Sequence, residues 1–248
     1  MVQEASSCER EPPVGPVWHA GAYSFAAIAA LNVNESHQAE VEKKDAFGGS
    51  AKRCFDLAIS LLLLPLAIIV GLPIACVIAL SGGDVIYGHT RVGRSGRPFR
   101  CYKFRTMNVA AENELQTILE NDISARQQWM DRFKLENDPR VTTLGRWLRK
   151  TCLDEIPQIW NVLRGDMSWV GPRPVVAEEM DKYGLFLSAY LVCRPGVSGE
   201  WQIRRRSDTS YAERVALDVK YARTWSMSRD LMILLLTVPR ILSAGHGG

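Results

Sequence analysis

The longest run of hydrophobic positions extends from Phe55 to Leu80, and Asp56, near its start, is its one charged residue. About 20 consecutive apolar residues are enough for a helix to cross the hydrocarbon core of a bilayer. An amphipathic helix on the surface of a soluble domain shows polar positions at regular intervals, and this run does not. The run therefore predicts a membrane segment, and the alternative is a buried helix of a globular domain.

Charges and a proline indicate which path this segment takes. Lys and Arg residues flank it on both sides: Lys43, Lys44, Lys52 and Arg53 before it, and Arg91, Arg94, Arg97, Arg100, Lys103 and Arg105 after it. Short flanks rich in these residues stay on the cytoplasmic side. Pro65 lies inside the run, and a proline removes one backbone donor and kinks a helix. A re-entrant helix-break-helix over 49–81 is favoured over a simple span.

From residue 82 onward the pattern is mixed and predicts a body that is mainly helical with a little strand. Two short stretches, 85–88 and 99–104, are rich in apolar and aromatic residues, with glycines and a proline between them, so they predict a hairpin. Residues 109–135 have helical character, with charged residues at the exposed positions.

Two further helices are predicted in the second half of the chain. One follows Thr142 or Thr143, which are good amino-terminal caps, and places Leu148 on its apolar face. The other begins near Asp154 and extends to Leu163, with a proline in its first turn, where a missing N–H costs least.

The two ends of the chain complete the predicted organisation. Residues 1–48 are polar with several prolines and predict a disordered extension without a secretory signal. The apolar stretch 231–238 is too short to cross a bilayer and is interrupted by Pro239, so a helix at the membrane interface or on the body is expected. The predicted units are thus an extension (1–48), a membrane segment (49–81) and a cytosolic domain (82–248).

Composition excludes several functional classes. A mean hydropathy close to zero excludes a multi-span transporter. The net charge of +3 is too small to favour a nucleic-acid partner, although the basic stretch Arg91–Arg105 keeps that as a weak alternative. The chain has no GxxxxGK[ST], GxGxxG or HExxH motif, so P-loop, dinucleotide and zinc chemistry are set aside. Six cysteines without a CxxC pair indicate reduced cytosolic thiols.

Asp154 and Glu155 are the first candidates for chemistry. At a predicted helix start, backbone N–H groups and the helix dipole favour negative charge and keep an aspartate ionised. Such an aspartate can attack phosphorus and form an acyl phosphate, while a divalent cation holds the diphosphate. The alternative is that Asp154 only caps the helix and Glu155 lies in its first turn.

Basic residues close in sequence favour the phosphate interpretation. Lys103, Arg105, Arg149 and Arg173 lie on either side of the acid pair, and Arg presents a planar fork that suits phosphate oxygens. Taken singly, each is more often a solvated surface charge. The Arg204–Arg206 run could bind lipid headgroups or a nucleotide diphosphate. The more common alternative is a set of solvent-exposed surface charges.

Together these motifs resemble the bacterial sugar transferases, also called polyprenyl-phosphate hexose-1-phosphate transferases or monotopic phosphoglycosyl transferases. The resemblance is greatest to the members that initiate exopolysaccharide synthesis with a galactosyl or glucosyl phosphate. The matching residues occur in order over more than half of the chain: KR at 52–53, FD at 55–56, KFRTM at 103–107, DPR at 138–140, LR at 148–149, LDEIPQ at 153–158, NV at 161–162, GDMS at 165–168, GPRP at 171–174 and RPG at 194–196.

The resemblance implies a fold and a two-step, Mg²⁺-dependent reaction. The fold is monotopic, with a re-entrant helix broken at Pro65. Asp154 matches the nucleophile that attacks a UDP-sugar, here UDP-galactose or UDP-glucose, and releases UMP. Undecaprenyl phosphate then takes the sugar phosphate from the enzyme. Glu155 acts as metal ligand or proton acceptor beside Asp154, and the basic side chains at positions 103, 105, 149 and 173 bind phosphates.

The resemblance also implies a location and partners. The protein is expected in the inner (cytoplasmic) membrane of a bacterium, with its active site facing the cytosol and without a nucleic-acid partner; a homodimer stays open. The runner-up is a non-catalytic membrane scaffold or regulator of polysaccharide assembly that keeps the fold. The combination of Asp154 and Glu155 with Arg149 and Arg173 argues against it, because a scaffold has no need of that set.

Overall fold

The computed structural model of the protein describes residues 48–132, 135–204 and 210–244. The predicted extension, apart from its last residue, and Arg205 and Arg206 lie outside these residues. Helices dominate the described residues, as predicted, and the strands form two small two-stranded sheets.

The elements follow one another in a simple order. The first half contains α1 (Gly49–Leu80), β1 (Ile86–Val92), β2 (Pro98–Phe104), α2 (Ala111–Asn121), α3 (Ile123–Arg132) and α4 (Thr143–Lys150). The second half contains α5 (Gln158–Arg164), β3 (Ser168–Val170), α6 (Leu187–Leu191), β4 (Gly196–Ser198), α7 (Glu200–Arg204), α8 (Tyr211–Arg223) and α9 (Met227–Ala244). Short 3₁₀ segments cover Arg94–Gly96, Leu153–Glu155 and Ala177–Phe186.

Helix α1 is 32 residues long and carries an exposed apolar middle. By length and composition it could cross a membrane, and only 17% of its most apolar window is buried in the body. Its buried residues fall near its two ends: Lys52, Asp56 and Ser60, then Gly71, Ile74 and Ile78. Between them Leu62 and Ile69 are 77% and 70% exposed. The backbone is helical through Pro65, so no gap in the helix marks the predicted break.

The one charged residue of the apolar run lies inside the protein. The Asp56 carboxylate accepts hydrogen bonds from the Ser168 hydroxyl at 2.9 Å and from the Trp169 backbone N–H at 3.1 Å. An unpaired carboxylate in hydrocarbon is costly. These bonds to β3 keep Asp56 within the protein and fix the start of α1 on the body.

Lys52 anchors the start of α1 to the last helix. It is 2% exposed, and its ammonium lies 2.5 Å from an Asp230 carboxylate oxygen, 3.2 Å from the Tyr221 hydroxyl and 3.0 Å from the Val170 carbonyl. Arg53 donates to two carbonyls near the end of α5. Lys52 and Arg53, which precede the apolar run in sequence, therefore lie in the first turns of α1, and their charges are paired or hydrogen-bonded within the body.

The predicted hairpin and the predicted cap are both confirmed. Strands β1 and β2 pair antiparallel from Ile86 opposite Phe104 to Val92 opposite Pro98. The Thr142 hydroxyl accepts from the Gly145 N–H at 2.9 Å and caps α4. The predicted helical region 109–135 is divided into α2 and α3.

Helix α9 continues through Pro239, so the predicted interruption is wrong. A proline removes only one hydrogen bond of the helix, and the preceding turns are held on the body. Ile233 is fully buried, and the Thr237 and Ser198 hydroxyls lie 2.5 Å apart.

Strands β3 and β4 form a parallel pair that the sequence pattern did not predict. It brings together the GPRP and RPG motifs at 171–174 and 194–196, whose glycines and prolines predict two rigid turns. The Gly196 N–H donates to the Pro172 carbonyl at 2.8 Å, and the Ser168 N–H donates to the Pro195 carbonyl at 2.9 Å. A Cβ on Gly196 would overlap the backbone of Gly171. The two turns therefore need glycine where they meet.

Candidate active site

Asp154 lies in a short 3₁₀ turn between α4 and α5, and its neighbours in sequence pack on the apolar helix α1. Leu153 and Ile156 join a hydrophobic cluster with Ile74 and Ile78. The prediction that a helix begins near Asp154 is wrong, since α5 begins four residues later. Pro157 has no N–H to donate, so regular helical bonding starts only after it.

Lys103 of β2 brings the two carboxylates together. Its ammonium lies 2.6 Å from a Glu155 oxygen and 3.6 Å from an Asp154 oxygen. Asp154 is 6% exposed, whereas the side chains of Lys103 and Glu155 are 38% and 27% exposed. Burial alone would lower the pKa of Lys103, but Glu155 and Asp154 outweigh burial and raise it. The lysine is therefore a fixed positive charge at the acid pair.

The sequence indicates that Asp154 is kept ionised, whereas its burial in the structure favours the protonated form. A carboxylate at a helix start would be held ionised, but this one lies before a short helix and is largely removed from water. Burial raises its pKa, with Glu155 acting in the same direction and with Lys103 and Arg149 acting against it. Asp154 thus depends on neighbouring positive charge to stay ionised.

Arg149 of α4 is the second positive group near Asp154. Its Nε donates to the Thr106 hydroxyl at 2.9 Å. Burial lowers its pKa, and the charges of Asp154 and Asp138 act against that shift. Asp138 is held in turn by two bonds from Arg140, at 2.8 and 2.6 Å. The DPR motif at 138–140 and Thr106 in the KFRTM motif are visible in the sequence. No local sequence pattern, however, predicts that they lie next to Arg149.

The structure does not bring Arg105 to the acid pair. Its guanidinium is exposed and bonds with the Gly82 carbonyl and the Ser81 hydroxyl, after the end of α1.

Arg173 belongs to a separate cluster around Glu179. Its guanidinium lies over the Trp201 ring at 5.8 Å. Glu179 is 2% exposed and lies 2.9 Å from Arg214 and 3.5 Å from Arg91. Burial would raise the pKa of Glu179, but the three arginines lower it. Arg91, Glu179 and Arg214 were not predicted as functional residues, because they are far apart in sequence.

The donor atoms at Asp154 and Glu155 fit a magnesium ion that shares its coordination with substrate. Mg²⁺ takes oxygen ligands and is often bound by one or two carboxylates together with phosphate oxygens. Among the described residues, no group of three His, Cys, Asp or Glu side chains could hold a metal by itself. The magnesium site stays a prediction that rests on these two residues.

Comparison with known proteins identifies the family of the chain. The family model for bacterial sugar transferases matches residues 47–244. The chain is 46% identical over 195 residues to the UDP-galactose-lipid carrier transferase of Erwinia amylovora, which covers 77% of this chain and 40% of that protein. It is 44% identical over 191 residues to the undecaprenyl-phosphate galactose phosphotransferase of Salmonella typhimurium, with the same two shares.

A shorter relative matches over most of its own length. The exopolysaccharide production protein ExoY of Rhizobium meliloti is 47% identical over 200 residues, which is 80% of this chain and 88% of ExoY. The chain thus spans about 40% of the length of the two longer relatives and nearly all of ExoY. The region that the family model matches includes α1, the acid pair and the arginine cluster, which is Arg91, Arg173 and Arg214 around Glu179. This chain belongs to the bacterial sugar transferase family.

Proposed function

We propose that this protein transfers a hexose 1-phosphate from a UDP-sugar to undecaprenyl phosphate and releases UMP, as the first membrane step of exopolysaccharide synthesis. One observation carries the proposal: the buried carboxylate of Asp154 lies beside Lys103, in a turn packed on the apolar helix α1. A reactive group in this position can meet a soluble nucleotide and a lipid phosphate at the same surface. The name of the Salmonella typhimurium relative supports the same reaction class, and the name of ExoY supports a role in exopolysaccharide production.

In the first half of the reaction, a carboxylate oxygen of Asp154 attacks the phosphorus that carries the sugar. A bond forms between that oxygen and phosphorus, and the bond from phosphorus to the bridging oxygen breaks. UMP leaves with the electron pair. Lys103 and Arg149 offset the negative charge that accumulates as the two anions approach.

In the second half, an oxygen of undecaprenyl phosphate attacks the same phosphorus. The bond to Asp154 breaks, the carboxylate is restored, and the product is a lipid diphosphate sugar. The covalent intermediate divides one difficult transfer into two easier ones. Asp154 and Glu155 would hold Mg²⁺, which neutralises diphosphate charge when bound. Glu155 would also accept a proton.

The membrane arrangement that we propose is monotopic, in a bacterial inner membrane, with the body in the cytosol. Both ends of α1 pack on the same body, whereas its middle is exposed and apolar. A straight helix of 32 residues would be about 48 Å long, so a re-entrant path bent near Pro65 explains two attached ends more simply than a span. Helix α9 also exposes an apolar face, formed by Leu231, Met232, Leu235, Leu236 and Val238, which suits the interface.

Cysteine labelling tests this topology. We would place single cysteines by Ser50→Cys and Asp84→Cys, on either side of the apolar run, after replacing the exposed native cysteines. A membrane-impermeant maleimide is expected to label both positions only when the cytosolic face is accessible. Pro65→Ala is expected to move the two ends to opposite faces. In the protein that keeps Pro65, labelling of either cysteine from the outer face of the membrane would contradict the re-entrant path.

Release of UMP tests the reaction itself. Membranes containing the protein would be incubated with a panel of UDP-sugars, undecaprenyl phosphate and Mg²⁺. Asp154→Asn is expected to lower the rate by about 10³-fold or more, while Asp181→Asn, at an exposed site, leaves it unchanged. Wild-type rates in Asp154→Asn would remove Asp154 as nucleophile. Folded, inserted protein that releases no UMP from any sugar would favour the scaffold.

A further inference from the structure

The β1–β2 hairpin carries two neutral ring side chains next to the acid pair. Tyr87 stands opposite Lys103 in the antiparallel register, and His89 stands opposite Cys101. Residues two apart on a strand share a face, and cross-strand partners share it too. Tyr87 and His89 therefore lie on the same face of the hairpin as Lys103, the residue that binds both carboxylates.

On this face of β1, His89 lies between Tyr87, which is opposite Lys103, and Arg91, which contacts Glu179. Burial and then the positive charge of Arg91 lower its pKa to about 4, and its electrostatic neighbours also include Glu179 and Lys103. It is therefore a neutral imidazole at physiological pH. Its Nδ1 atom is buried and has no hydrogen-bond partner among the described residues.

Tyr87 adds an exposed aromatic ring beside this imidazole. The two ring centroids are 6.0 Å apart and tilted by 46°, and Tyr87 is 47% exposed. Burial and then the charge of Glu112 raise the pKa of its hydroxyl, so the O–H stays protonated. The hairpin thus presents a neutral surface between two strongly charged clusters.

We propose that Tyr87 and His89 bind the sugar ring of the nucleotide-sugar donor and contribute to the choice of sugar. A hexose is uncharged, with hydroxyls that need donors and acceptors and a C–H face that packs on aromatic rings. The sugar is attached to the phosphorus that Asp154 attacks, so it must lie beside the groups that surround that phosphorus. Lys103 is one of these groups, and Tyr87 and His89 are its uncharged neighbours on the hairpin.

This inference rests on the proposed function. It assigns Tyr87 and His89 to the hexose of the donor and not to its nucleobase. The nucleobase is separated from the reacting phosphorus by a second phosphate and a ribose, so it lies farther from Lys103 than the hexose does. A site that hydrogen-bonds one particular hydroxyl discriminates strongly against a substrate in which that hydroxyl is misplaced, because buried polar groups are then left unpaired.

The experiment compares two donors that differ only at one hydroxyl, UDP-galactose and UDP-glucose. We would measure kcat/KM for UMP release with each donor in wild-type protein, His89→Ala, His89→Gln and Tyr87→Ala. The matched control is Thr90→Ala, since Thr90 is exposed and alternates to the other face of the same strand. Inhibition by UDP, which lacks the hexose, reports on the nucleotide site alone.

We expect His89→Ala to change the ratio of kcat/KM values for the two donors by about tenfold or more, with inhibition by UDP unchanged. If kcat/KM fell equally for both donors and inhibition by UDP became weaker, the inference would be overturned in favour of a nucleobase contact. An unchanged ratio in a folded variant would overturn it in favour of a packing role.

Ligand binding separates this test from the proposed reaction. In an Asp154→Asn background, ligand-observed NMR with each UDP-sugar would follow contacts to the hexose protons without turnover. Adding His89→Ala is expected to weaken the hexose signals and to leave the uracil signals in place. Unchanged hexose signals would overturn the inference even if the protein released no UMP, whereas absence of UMP release alone would overturn only the proposed function.

Discussion

The Lys103 ammonium makes its short contact with Glu155, at 2.6 Å, and lies 3.6 Å from Asp154. The lysine thus fixes the neighbour of the proposed nucleophile more firmly than the nucleophile itself. This arrangement leaves Asp154 with positive charge close by but without a strong bond that an attack on phosphorus would have to break.

Lys103→Met is expected to lower kcat/KM for UMP release by on the order of 10²-fold, because a fixed donor is lost and the pKa of Asp154 rises further. Rates would be measured with saturating undecaprenyl phosphate. The matched control is Lys150→Met, an exposed lysine at the end of α4. Equal rates for the two variants would show that Lys103 has only a structural role.

Removal of divalent ions is expected to stop UMP release, and added Mg²⁺ to restore it. Asp154 and Glu155 provide only two protein carboxylates, so the ion should be weakly held and quickly stripped by EDTA. Magnesium titration after chelation would give its apparent affinity. Full activity in the presence of excess EDTA would contradict a metal-dependent reaction.

Asp218 is expected to make stability depend on pH. Burial raises its pKa to about 7, against the effect of the Tyr183 hydroxyl 2.8 Å away, whereas an unfolded aspartate titrates near pH 4. Between these values the folded state keeps a proton that the unfolded state loses, so the free energy of unfolding falls as pH rises and levels off above about pH 7.

Asp218→Asn is expected to remove this dependence and to raise the free energy of unfolding at pH 8 by on the order of 2–4 kcal/mol, with a smaller gain at pH 5. Denaturant unfolding of the detergent-solubilised protein at both pH values would measure the difference. Asp181→Asn serves as the control at an exposed carboxylate. The same gain at both pH values would show that titration is not its cause.

Gly196→Ala is expected to destabilise the protein by about 2–4 kcal/mol, because the new methyl group would overlap the backbone of Gly171 and separate the two rigid turns. Thermal unfolding would measure this loss. Gly71→Ala is the matched control, since its Cβ would meet Ile156 and Phe104 at ordinary distances, the nearest 3.5 Å. Similar melting temperatures for both variants would contradict the close approach of the turns.

Local patterns predicted the parts of the fold that local interactions determine. The hairpin follows from glycines and a proline between two apolar stretches, and the α4 cap needs only Thr142 and the N–H of Gly145 three residues later. The start of α5 was misplaced because a proline in a predicted first turn is compatible with either an α-helix or a preceding 3₁₀ turn.

Long-range contacts account for what could not be predicted. Arg173 was assigned to phosphate binding from its motif. In the structure, the charges that act on it include Glu179 and Arg214. No sequence spacing indicates that these residues lie close to Arg173. Strand β3 pairs with β4 across 28 residues, and three-residue strands give almost no signal. Asp154 and Lys103 were both predicted, but only the fold shows that they meet at 3.6 Å.

The pairing of Lys52 with Asp230 also constrains how the protein is made. The two residues are separated by 178 positions, and a ribosome adding about 5–20 residues per second needs roughly 10–35 s to synthesise that length. Throughout this interval the lysine has been added to the chain, but its carboxylate partner does not yet exist. The body can therefore close around the first turn of α1 only after α9, which carries Asp230, has been synthesised.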